Sequence, residues 1–116
     1  MSRRSTGFPP AVQELVRARS GGVCERCGTG PATQMHHRRP RGMGGTRRAS
    51  TNAASGCLHL CEPCHRFIET AARGLSYDNG WLVRQHIEPS SVAVRYRGRL
   101  VFLTDDGDLT SGTESA

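Results

Sequence analysis

Between Val23 and Glu69 lie two Cys-x-x-Cys pairs, a double histidine, and a third histidine that follows the second pair directly. CERC carries Cys24 and Cys27, MHH carries His36 and His37, and LCEPCH carries Cys61, Cys64 and His65. Each Cys-x-x-Cys closes a tight knuckle that aims two thiolates at one ion, and two knuckles complete a tetrahedron. Cys24, Cys27, Cys61 and Cys64 are therefore read as the ligands of one zinc. Four sulfur ligands leave no open coordination position, which makes that zinc structural. Two disulfides in a secreted domain would be the competing reading, but the sequence opens without a signal-peptide pattern and Cys57 would lack a partner.

The histidines then need other work. His36 and His37 are adjacent, so on an extended segment they point to opposite sides, and one can bind a metal while the other faces a substrate. Glu69 lies four residues after His65, on the same face of what reads as a helix. These positions suggest a second metal held by His36, His65 and Glu69, with His37 left as a base. A plain surface carboxylate is the alternative at Glu69.

In CERC, MHHRRPRGMGG and LCEPCHRFIE, over about residues 20–75, the chain resembles an HNH endonuclease of the Cys-x-x-Cys zinc-containing subclass, of phage or actinobacterial type. The resemblance implies a ββα-metal fold, His36 and His65 as ligands of a catalytic divalent metal, His37 as general base, and DNA as partner. It also implies products with 5′-phosphate and 3′-hydroxyl ends. The family's asparagine, expected five residues before the third cysteine, is Gly56 here, and Asn52 is the nearest residue that could brace the loop and orient the base. By the same resemblance, a phage terminase large subunit is a candidate partner. The cytoplasm is the expected location, that of the host if the chain is phage-encoded.

The elements that must position these residues have little apolar material to work with. Only 35% of the residues are hydrophobic and 5% aromatic, a thin supply for a core, so zinc contributing on the order of 10 kcal/mol would make up the deficit. All sixteen basic residues are arginine and the formal net charge is +6. Four of the ten acids fall in the final dozen residues, which leaves the body more basic still, and such a body reads as a polyanion binder. The run 38–48 holds Arg38, Arg39, Arg41, Arg47 and Arg48 and no acid, beside the double histidine. Phosphate contact is expected from it. No apolar run approaches the roughly twenty residues of a membrane span.

In chain order, residues 1–8 read as a flexible basic arm. A helix starts at Pro9, with Val12, Leu15 and Val16 as its apolar stripe and Gly21-Gly22 as its stop. Short strands are expected over 32–37 and 57–60. A helix follows, with Pro63 in its first turn and Gly74 beyond its end, offering Phe67, Ile68, Ala71 and Ala72 to the core. Residues 9–75 form the nuclease-like domain and 76–104 an extension in which Tyr77 and Trp81 cap the core. The alternation over 92–104, turning at Arg97-Gly98, predicts a β-hairpin whose Arg95, Arg97 and Arg99 extend the basic face. The acidic tail, 105–116, is expected to be disordered. The fold class is α+β: a small zinc-stapled ββα-metal, treble-clef-like domain with an N-terminal helix and a C-terminal hairpin.

These features favour a metal-dependent DNA endonuclease, with Mg²⁺, Mn²⁺, Ni²⁺ or Zn²⁺ at the catalytic position. A zinc-knuckle module that binds nucleic acid without cutting it explains the cysteines and arginines equally well but gives the three histidines no task. A zinc-stapled adaptor for another protein would lean on the C-terminal hairpin.

Overall fold

The structure is a computed structural model that describes residues 7–40 and 52–111. Helix α1 spans Pro10–Ser20, strand β1 Gln34–His37, strand β2 Cys57–Leu60, helix α2 Glu62–Thr70 and helix α3 Arg73–Asp78. Strands β3 (Val94–Tyr96), β4 (Arg99–Leu103) and β5 (Leu109–Ser111) complete an α+β fold with two small antiparallel sheets. Among the described residues no helix is long and apolar enough to cross a membrane. The basic arm over 1–6, Arg41, Arg47, Arg48 and the tail over 112–116 lie outside the described residues.

Proline at the start and glycine at the end set the limits of α1. Pro10 opens the helix, where its missing N–H costs nothing, and Gly21 at φ 65° turns its N–H back to the Arg17 carbonyl at 2.9 Å. The buried stripe is narrower than expected. Val16 and Val12 pack with Phe8 against Ala54 and Cys57, whereas Leu15 stays 40% exposed beside Gly107.

Strand β2 is buried along its whole length because both its faces are covered. Leu58 and Leu60 join the main core with Cys24, Cys61, Ile68, Trp81, Val94 and Leu103, while Cys57 on the opposite face joins the α1 cluster. The register between β1 and β2 pairs His36 with Leu58 and His37 with Cys57. Directly opposed residues share a face, so His36 looks toward the main core and α2, and His37 toward α1.

The chain after α2 departs from the expected single helix. It breaks at Ala71, which is extended at ψ −178°, and α3 restarts at Arg73, leaving Ala72 exposed. This bend, with the amides of Trp81 and Leu82 both donating to the Ser76 carbonyl, brings Trp81 edge-on to Phe67 at 6.1 Å. Residues 76–104 are thus part of the main core, supplying Trp81, Leu82, Val94, Tyr96, Val101 and Leu103.

The hairpin turns at Arg97 (φ 51°) and Gly98 (φ 86°), the two left-handed positions that match strand twist. A third strand follows it, which corrects the reading of 105–111 as disordered. The acidic run is turn chemistry: Thr104 N–H donates to the Asp108 carbonyl, the Asp108 amide to the Thr104 hydroxyl, and Gly107 takes φ 90°. Leu109 thereby returns beside Leu103, and Ser55 donates to the Asp105 carboxylate.

Candidate metal centres

The sulfur atoms of Cys24, Cys27, Cys61 and Cys64 all lie within 4.8 Å of one another. Two separate structures deliver them. The first knuckle is closed by Cys24 N–H to the Gly30 carbonyl at 2.8 Å and Gly28 N–H to the Cys24 carbonyl at 3.0 Å; the second is the junction of β2 with α2. Gly30 permits their approach, since a Cβ there would sit 3.1 Å from that of Cys61. Cys27 Sγ and Cys61 Sγ are 3.9 Å apart. Zinc–sulfur bonds of about 2.3 Å give a tetrahedron edge of about 3.8 Å, so the donor set and its spacing fit a structural metal such as zinc.

Polar hydrogens converge on this sulfur cluster. The Arg26 and Cys27 amides point at Cys24 Sγ, the Thr29 hydroxyl at Cys27 Sγ, and the Arg26 guanidinium at Cys64 Sγ over 3.2 Å. The Thr29 hydroxyl, then the Gly30 and Thr29 amides, hold the Cys27 thiol down at about 5, whereas burial pushes Cys64 up to about 12. A divalent cation is what such a mixed set needs in order to ionise together. The Arg26 guanidinium lies 4.2 Å from the ring centres of both Phe67 and Trp81, so the metal knuckle is packed into the aromatic part of the core.

A second cluster joins His36 of β1 to His65 and Glu69, one turn apart on α2, with ligand atoms again within 4.8 Å. His36 Nε2 donates to the Trp81 carbonyl at 2.9 Å, which leaves Nδ1 as the lone pair, 3.7 Å from the Glu69 carboxylate. His65 Nε2 is 3.8 Å from the same oxygen. Burial pushes His36 down to about 4, so it is neutral at physiological pH, the form that ligates metals. The carbonyl behind it fixes the tautomer, as outer-sphere partners of metal-binding histidines do. Two imidazoles and a carboxylate fit a divalent cation and leave coordination positions over for water or substrate.

His37 belongs to neither cluster. Its Nε2 donates to the Asn52 side-chain oxygen at 3.0 Å, which puts the basic lone pair on Nδ1, and Phe8 stacks on the ring at 4.0 Å with 16° between planes. Although His36 and His37 face opposite sides of the sheet, both reach one cleft of about 260 Å³ at its end, with His65, Glu69, Pro40 and Arg73 also in its wall. Asn52, the nearest residue the sequence offers to orient the base, thus contacts His37.

For Arg38 and Arg39 the expectation of phosphate contact needs correction, while Arg41, Arg47 and Arg48 lie outside the described residues. Arg38 is fully buried and donates to the carbonyls of Gly80, Ser55, Pro89 and Val92 over 2.7–3.1 Å, which leaves its fork with no route to a phosphate. Arg39 is 1% exposed and turns to the Ile87 carbonyl at 2.7 Å. Arg97, expected on the basic face, clamps the carbonyls of Ser20, Val23 and Cys24. A buried hub also escapes sequence reading: Glu25, inside CERC, accepts from Arg19 at 2.7 and 2.9 Å, from the His59 amide and from the Tyr96 hydroxyl. Its sole sequence signal is a charged residue inside a Cys-x-x-Cys knuckle.

Comparison with family models, curated proteins and solved structures finds no match.

Proposed function

We propose that the chain is a metal-dependent DNA endonuclease of the HNH type it resembles, with β1, β2 and α2 serving as its ββα-metal unit. The observation that carries this reading is the division of labour in the ligand sets. Four cysteines form a closed cluster at the edge of the core, with Cys27 exposed, while His36, His65 and Glu69 form an open one in a cleft that also holds His37. A binding module would need the first cluster alone.

His37 is suited to take a proton from water through Nδ1, with Asn52 holding the opposite nitrogen and Phe8 holding the ring plane. His36 and His65 would keep a divalent cation at the far side of the cleft, with Glu69 as the third protein ligand. Bound there, the cation would supply positive charge to the phosphate and its leaving oxygen. Trp81, through its carbonyl, keeps His36 in the ligating tautomer. Incubating purified protein with supercoiled plasmid and Mg²⁺, Mn²⁺, Ni²⁺ or Zn²⁺ in turn tests the reading. Nicked or linear product with at least one metal is expected, and binding without cutting under all four would leave the non-catalytic module.

A further inference from the structure

Among the described residues, Arg38, Arg39 and Arg97 are turned to backbone carbonyls, and the exposed arginines near the cleft are others. Arg73 stands in the wall of the cleft with the three histidines and is exposed. Its guanidinium has two contacts, the Tyr77 hydroxyl at a long 3.4 Å and the Tyr77 ring at 5.8 Å. Arg84, also exposed and two residues beyond the cleft residue Leu82, lies 4.1 Å from the centre of the same ring. Among the described residues neither forms an ion pair, in contrast to Arg66, which Glu62 neutralises at 2.6 Å. One tyrosine therefore holds two guanidiniums, one of them in the wall of the cleft. Contact with the ring reduces the side-chain freedom each would lose on binding.

We propose that Arg73 and Arg84, both held against Tyr77, grip successive phosphates and lead a DNA strand into the cleft. The inference rests on the reading of the cleft as a phosphodiester site. Arginine's fork matches phosphate oxygens bidentately, and side chains already positioned by an aromatic face lose less entropy on doing so. Arg73 falls four residues after Glu69, so the grip sits beside the open ligand cluster on the same stretch of chain.

The test is binding of a short fluorescein-labelled duplex, followed by anisotropy in the His37→Ala background with stoichiometric zinc and no other divalent ion, over a range of NaCl. Arg73→Gln and Arg84→Gln should each weaken binding about 10-fold at low salt. Each should also make the slope of log K against log salt shallower by about 0.9, the signature of one lost phosphate contact. Tyr77→Leu, which keeps both charges, should weaken binding a few-fold with the slope unchanged. Arg99→Gln, at an exposed arginine on β4, is the control for general positive charge and should change little. Equal effects of Arg99→Gln and Arg73→Gln, or full affinity and slope in both Arg73→Gln and Arg84→Gln, would overturn the inference. The outcome separates from that of the nuclease reading: a chain that cuts plasmid but binds unaided by Arg73 and Arg84 keeps the enzyme and loses the track. One that binds through them and never cuts keeps the track and loses the enzyme, and one that does not bind duplex loses both.

Discussion

Replacing Arg38 by Met should destabilise the protein severely while leaving no direct mark on DNA affinity. The guanidinium is fully buried and satisfies four carbonyls, from Ser55, Gly80, Pro89 and Val92, that come from three separate segments of the chain. Burial pushes its pKa down to about 9, which still leaves it charged at neutral pH. Each carbonyl left without a donor costs about 1–3 kcal/mol. Removing the charge from the interior returns several kcal/mol of desolvation, and the Met side chain refills much of the volume, so the net loss should be about 3–5 kcal/mol. For a domain of this size that lowers Tm by at least about 12 °C. Arg38→Lys, with a compact ammonium in place of the fork, should recover only part of the loss. Thermal denaturation followed by circular dichroism in zinc-containing buffer measures it, with Arg84→Gln, expected within about 0.5 kcal/mol of wild type, as the exposed control. An Arg38→Met protein of wild-type stability and tenfold weaker DNA binding would refute the inward placement and return Arg38 to the phosphate-binding set.

Purified protein should carry about one tightly held zinc, and Cys24→Ser or Cys61→Ser should unfold it; a metal-free chain that melts cooperatively from a folded state would count against this. Glu69→Ala should weaken the open cluster's hold on its metal and so lower cleavage, with partial rescue by added metal; unchanged activity at limiting metal would mark Glu69 as a bystander. Phe8→Leu should slow cleavage roughly 2- to 10-fold, the scale of one aromatic contact, without altering DNA affinity, and Phe8→Tyr should restore the rate. A Phe8→Leu enzyme of normal rate would show that the stack on His37 does not position it.

Local chemistry made part of this structure legible. Cys-x-x-Cys geometry is closed within four residues, so the convergence of Cys24 and Cys27 on Cys61 and Cys64 follows from spacing, as does the opposite facing of His36 and His37 along an extended chain. Cys57–Leu60 reads as a strand from its run of apolar residues, and Arg97-Gly98 as a hairpin turn from the left-handed conformations it must adopt. The inward turn of Arg38, Arg39 and Arg97 is not legible in the sequence, because composition reports charge and is silent on direction. In a chain with few large apolar residues the guanidinium serves as core material, and whether Arg38 meets a phosphate or the Val92 carbonyl depends on segments more than fifty positions away. Strand β5 was hidden because an Asp-rich turn and a disordered acidic tail share one composition. Asn52 was in view only through the motif's asparagine, and Phe8 reaches His37 across 29 positions, a distance at which no helix or strand period carries information.

Plasmid cleavage by wild type and His37→Ala, measured side by side with the metal that supports activity, bears most directly on the proposed chemistry. His37→Ala should keep its fold, its zinc and its DNA affinity while cleavage falls about 10²-fold or more, the scale of losing a general base. Undiminished cutting by His37→Ala would contradict the assignment of the base, and a wild-type protein that never nicks plasmid would contradict the enzyme itself.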